Sequence, residues 1–231
     1  MSLIEKYFKY YENELNVAAS SFYAWKSINN IAVDDKDVYN ALNRNALFWN
    51  ITQHSLQCTF FISLGRIFDI DDQAFSIHKL LKACIENITE FSESHLRERK
   101  KGNGPEPDWL DDYMKGIYIP SENDFQRLRG EVSKQRKIYV DKLQSVRHKV
   151  FAHTDLLSIE KTHKFFAEAT IGDIQDLLKF LFQIKRTIFE LYHNGRKGEI
   201  GEFHFDEEEY VLKDISSLMN LLKQKSPTTA L

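Results

Sequence analysis

Apolar residues recur along this chain at steps of three and four, and almost nowhere at the two-residue step of a half-buried strand. The clearest run is Phe125, Leu128, Val132, Tyr139, Leu143, Val146 and Val150, with one polar gap near Gln135. That spacing predicts a single amphipathic helix approaching about 40 Å in length at ~1.5 Å per residue. Similar patterns predict helices over Leu3 to Ile28, Asp37 to Phe68, Ala74 to Leu96, Ile171 to His193 and Glu207 to Lys223. Only Lys164 to Ala167 and Glu202 to Phe205 have the extended look of short strands. The economical architecture is an all-α, antiparallel helix bundle.

Breakers punctuate the pattern. Lys100 to Pro120 holds Gly102, Gly104, Pro105, Pro107, Gly116 and Pro120, which predicts a mobile or functional loop between two bundle helices. Thr170-Ile171-Gly172-Asp173 predicts a capping box, in which the threonine oxygen meets free amides of the next helix while the aspartate favours its N-terminus. Glycines between Asn194 and Gly201 end that helix, and the Ser226-Pro227-Thr228-Thr229 tail should fray.

Composition narrows the class. A chain of 231 residues with 42% hydrophobic and 28% charged residues can bury a substantial core, and one domain over 1–231 is expected. No apolar run approaches the length of a membrane span, and Met1-Ser2-Leu3-Ile4-Glu5-Lys6 lacks the layout of a signal peptide, so a cytoplasmic protein without a membrane partner is expected. Cys58 and Cys84 lie in helical patterns without metal-ligand spacing and read as reduced thiols. The net charge of −3 does not advertise a nucleic-acid binder. Between Arg127 and Lys149, however, eight basic residues face only Glu131 and Asp141. Such a stretch either focuses phosphate on one face or is a solvated helix surface.

The candidate chemistry sits at the end of that basic helix, in Arg147-His148-Lys149-Val150-Phe151-Ala152-His153-Thr154-Asp155. On one ideal helix Arg147 and His153 would stand about 120° apart around the axis and ~9 Å apart along it, so they would not meet. Convergence requires a helix end between them or a second copy of the motif from a partner chain. The bland alternative is a helix cap in which both side chains satisfy terminal carbonyls.

The arginine and histidine, five residues apart, resemble the signature of the HEPN superfamily, and the wording of the motif is most similar to its AbiU-type branch. Leu64-Gly65-Arg66-Ile67-Phe68-Asp69 resembles that branch's upstream Arg-x-x-Asp element, and the likeness runs from about Tyr39 to Tyr192. The resemblance implies a homodimeric, metal-independent endoribonuclease with no cofactor, active in bacterial abortive infection or phage defence or as the toxin of a toxin–antitoxin pair. In it Arg147 would bind phosphate and His153 would move the proton. Arg66 and Asp69 would fold over the cleft, although three-residue spacing also suits a surface ion pair between them. Thr154 and Asp155 would orient His153 or cap the next segment, and Arg136, Lys137, Lys142 and Lys149 would hold RNA. The family most often has asparagine or aspartate after the arginine, where this chain has His148, which leaves a non-catalytic RNA- or protein-binding module as the alternative. A branch modified on a tyrosine beyond the motif histidine is disfavoured, since Thr154-Asp155 follows here. Two Glu-x-x-His pairs, Glu160/His163 and Glu190/His193, offer a rival di-iron pattern, but the first pair falls in an expected loop. No phosphate-binding glycine loop or nucleophile elbow is present.

Overall fold

The first helix is set by its own cap. Ser2 Oγ accepts from the Glu5 amide at 3.2 Å while the Glu5 carboxylate accepts from the Ser2 amide at 2.9 Å, and α1 then runs unbroken over Leu3–Asp34. Its buried face, Ile4, Tyr11, Leu15, Ala18 and Phe22, repeats at helical spacing and forms one wall of the core. The computed structural model describes residues 1–148, 170–198 and 207–224, and no strand occurs among them. The protein is all-α, as the hydrophobic spacing predicts. The two stretches with a strand-like look, Lys164 to Ala167 and Glu202 to Phe205, lie outside the described residues.

Two of the expected helices are broken into shorter ones. Asp37 to Phe68 divides into α2 (Lys36–Arg44) and α3 (Ala46–Ile67), because Asn45 leaves the helical region at φ −121° and ψ 44°. Asp35 Oδ1 starts α2 by accepting from the Asp37 and Val38 amides. Ala74 to Leu96 divides into α4 (Ile77–Glu86), a 3₁₀ turn (Ile88–Phe91) and α5 (Glu93–Lys101), the last capped by Ser92. Periodicity survives the break at Asn45, since Val38 and Leu42 before it and Trp49 and Leu56 after it reach the same cluster, which is why that break is hard to see in sequence.

Lys100 to Pro120 is more structured than its glycines and prolines suggest. It carries a short helix, α6 (Leu110–Met114), whose Leu110 and Met114 join Leu96 in a small second-tier core. Tyr113 Oη donates to the Asn194 carbonyl at 2.7 Å, and the Tyr118 amide donates to Gly195 at 2.6 Å. Gly195 takes φ 56°, a left-handed turn that reverses the chain after the π-type turn Glu190–Asn194.

Helix α7 (Glu122–Lys142) ends earlier than predicted. Leu143 departs to φ −112°, one helical turn follows at Gln144–Val146, and the backbone widens to π-type spacing at Arg147 and His148. Helix α8 (Ile171–Phe189) starts at the predicted capping box, with Thr170 Oγ1 accepting from the Asp173 amide at 3.1 Å. Helix α9 (Glu207–Gln224) closes on α1 and α2, where Met219 meets Ile28 and Val38. The main core joins α1, α3, α4, α7 and α8 around Phe22, Phe60, Leu64, Phe125, Val132 and Leu181. None of the described helices is long and apolar enough to cross a membrane.

Candidate active site

The C-terminal end of α3 is held against α7 by one stack and one hydrogen bond. Phe68, just past the helix, lies on the Tyr139 ring with centroids 5.3 Å apart and planes 20° from parallel. Arg136 Nε donates to the Phe68 carbonyl at 3.1 Å, satisfying an acceptor that a helix end leaves open. Leu64, Ile67, Leu143 and Val146 are fully buried between these elements, so both backbones are fixed where they meet.

Arg147 enters from this buried platform. Its amide donates to the Leu143 carbonyl at 3.1 Å, and its side chain crosses the face of α3 at Gly65. A Cβ on residue 65 would stand 2.7 Å from the Arg147 Cζ and closer still to Nε and Cδ. The Nε is shielded from solvent and makes no hydrogen bond among the described residues, although the residue as a whole is only half-buried. Beside it stands the Tyr139 hydroxyl, also buried and without a hydrogen bond of normal geometry among the described residues. Burial pushes the Tyr139 phenol up, while the nearby Arg147 guanidinium pulls the other way and Asp69 adds to the rise. Near neutral pH the pair is therefore a guanidinium beside a neutral phenol.

Arg147 thus meets the upstream element at Gly65, while the surface ion pair that spacing also suits, between Arg66 and Asp69, does not occur. Arg66 is exposed and pairs with Glu14 of α1 at 3.2 Å. Asp69 Oδ1 accepts from the Asp71 amide at 2.9 Å and closes the turn that follows α3. Among the proposed RNA-binding residues, Arg136 is committed to the Phe68 carbonyl, and Lys142 pairs with Asp173 at 2.7 Å. The Lys142 ammonium holds the Asp173 carboxyl below the usual aspartate range. Lys137 and His148 are exposed. Lys149, His153, Thr154 and Asp155 lie outside the described residues.

Two residues here were not among the candidates drawn from sequence. In sequence Tyr139 is one member of the apolar run of a helix, and a tyrosine in such a run carries no further signal. Gly65 did carry one, since a glycine inside a helix costs about 1 kcal/mol relative to alanine and asks for a packing reason.

At the other end of the bundle, Glu190 Oε2 accepts from Asn194 Nδ2 at 3.0 Å, and the His193 ring packs on Phe189 and Tyr192. Glu160 and His163 lie outside the described residues, and no cluster of three His, Cys, Asp or Glu side chains able to hold a metal occurs among the described ones.

A guanidinium fixed in this way can position a phosphate and offset charge on its oxygens. A family model described as AbiU2, of the HEPN group, matches residues 1–221, a longer span than the stretch from Tyr39 to Tyr192 marked by the motifs. No curated protein and no solved structure matches the chain.

Proposed function

Since the chain belongs to the AbiU2 family of HEPN domains, we propose that it is a metal-independent endoribonuclease of a bacterial abortive-infection or toxin–antitoxin system. The observation that carries this reading is the convergence of Arg147 with the Leu64 to Asp69 segment, which holds one cation at a fixed place beside a neutral hydroxyl. RNA brings its own nucleophile. The ribose 2′-oxygen attacks the adjacent phosphorus, the new O–P bond forms as the bond to the 5′-oxygen breaks, and the products are a 2′,3′-cyclic phosphate and a 5′-hydroxyl. His153 takes the 2′-hydroxyl proton, and a second imidazole protonates the departing 5′-oxygen. Arg147 binds the non-bridging oxygens, whose charge grows towards the transition state.

A two-fold dimer supplies that second imidazole as the other copy's His153. Surface chemistry supports the assembly. Leu47, Phe48 and Ile51 on α3 are 83%, 60% and 61% exposed, a grouping of large apolar side chains within about one helix turn that suits an interaction surface. At about 100° per residue, Phe48, Ile51 and Ile62 share the α3 face that ends at Arg66, so the exposed apolar face and the candidate site lie along one side of this helix.

The second reading, a non-catalytic module that binds RNA or protein, draws on His148 in the place where the family most often has asparagine or aspartate. Product chemistry separates the two. Purified protein in excess EDTA should cleave single-stranded RNA and leave ends that accept 5′-phosphorylation by a kinase without prior dephosphorylation. RNA bound but left intact would favour the module, and cleavage only on adding a divalent ion would overturn the metal-independent mechanism.

A further inference from the structure

We propose that Gly65 is a positioning residue of the candidate site: the absence of a side chain there opens the slot through which Arg147 crosses α3, and the slot fixes which edge of the guanidinium can meet a phosphate. The inference rests on the endoribonuclease reading for its catalytic consequence, but its geometric content stands apart from it.

A guanidinium can grip a phosphate along its side edge, through Nε and one Nη, or at its tip, through both Nη groups. The side edge is closed here, because Nε has no exposed surface and faces the protein without a partner among the described residues. Arg147 must therefore approach a phosphodiester end-on, through Nη1 and Nη2. An unpartnered buried N–H is costly, and an unconstrained arginine would turn it towards water. The constraint comes from both sides. Leu143 and Val146, both fully buried, anchor the turn that carries Arg147, while the Tyr139 hydroxyl stands beside the guanidinium. Across the slot lies the α3 backbone at a residue that adds no Cβ.

Any side chain at 65 collides with the outer part of Arg147, from Cδ to Cζ, rather than with backbone. The arginine can yield by swinging out. A Gly65→Ala variant should accordingly keep its fold yet lose the end-on placement. A displacement of about 1 Å typically costs ~100-fold in rate, and that is the expected fall in kcat for RNA cleavage. Helix propensity alone would make the same substitution stabilising, since alanine is the better helix former.

Two readouts separate this device from a general packing defect and from failure of the ribonuclease reading. The first is a stability cycle over Gly65→Ala and Arg147→Ala, measured by thermal melting without RNA. Gly65→Ala should lower Tm by a few degrees in the wild-type background and leave it unchanged or raise it when Arg147 is already alanine. The second is the ¹³Cζ resonance of Tyr139 in tyrosine-labelled protein, assigned with Tyr139→Phe. It should shift in the same direction in Gly65→Ala and in Arg147→Ala, since both remove the guanidinium from the phenol. An equal loss of Tm in both backgrounds, or a Tyr139 signal that moves in Arg147→Ala but not in Gly65→Ala, overturns the slot even if the protein is a ribonuclease. A wild type without ribonuclease activity, with the cycle and the resonance as expected, upholds the slot and removes only its catalytic use.

Discussion

Arg147 lies directly over Gly65, so that the end of one motif occupies the space where the other lacks a side chain. Four helices, α4 to α7, separate the two segments in sequence, yet a side chain added at 65 would have to displace the outer part of Arg147. On this relationship rests the assignment of a single site built from both.

Assembly provides the first check. Light scattering at micromolar concentration should report a dimer, and Ile51→Arg, which places charge on the exposed α3 face, should produce a folded monomer. That monomer should have lost RNA cleavage. A monomeric wild type, or an Ile51→Arg variant that remains dimeric, would move the interface away from α3.

Acid should weaken the fold in the range where histidines titrate. Burial holds His78 and His193 below the ordinary histidine range, with Arg136 and Arg129 adding to the first and Arg99 and Lys100 to the second, against an opposing pull from Glu5 on the second. Each therefore binds its proton less readily in the folded chain than in the unfolded one. Their contribution to stability is complete above the unfolded value near ~6.5 and is lost as pH falls through the lower folded values. Tm should accordingly drop between about pH 7 and pH 5, and less steeply in His193→Gln than in wild type. A Tm that is level or rises on acidification over this range would contradict both assignments.

Lysines 137 and 142 should part company. Lys137 is exposed, and its replacement by alanine should leave Tm within a degree or so while reducing the salt slope of RNA binding by about 0.7 to 0.9. Lys142 joins the end of α7 to Asp173, the acidic partner of Thr170 in the capping box of α8. With the lysine side chain 43% exposed, Lys142→Ala should cost at most about 1 kcal/mol, and it should alter the salt slope little. Asp173, whose carboxyl that lysine holds low, contributes stability above about pH 4 that is lost as pH falls below it. Equal effects of the two lysines on RNA binding would show that the Lys142 pair does not persist in solution.

Much of this architecture was legible in the chain because burial writes itself into residue spacing. The α7 stripe from Phe125 to Tyr139 and the Thr170 cap of α8 needed only local physics, respectively a helical repeat and a side chain meeting free amides. The break at Asn45 was not legible, since α2 and α3 keep apolar residues in phase across it. Glycines and prolines between Lys100 and Pro120 suggested a loop, while the contacts that structure it, from Leu96 to Leu110 and from Tyr113 to Asn194, come from distant sequence. The site divides the same way. Arg147 and the Leu64 to Asp69 element could be picked out as motifs, but that Gly65, rather than Arg66 or Asp69, receives the arginine is a fact of packing. Spacing alone suggested an Arg66 to Asp69 pair, and the nearer carboxylate in space is Glu14.

The central claim is that Arg147 acts on RNA phosphate together with His153, and single-turnover cleavage of a single-stranded RNA in excess EDTA tests it most directly. Arg147→Ala and His153→Ala should each melt as cooperatively as wild type and cleave about a hundred- to ten-thousand-fold more slowly, as expected when a group that stabilises charge or transfers a proton is removed. Wild-type cleavage rates in either variant, with the fold retained, would contradict the account and place the chemistry elsewhere on the molecule.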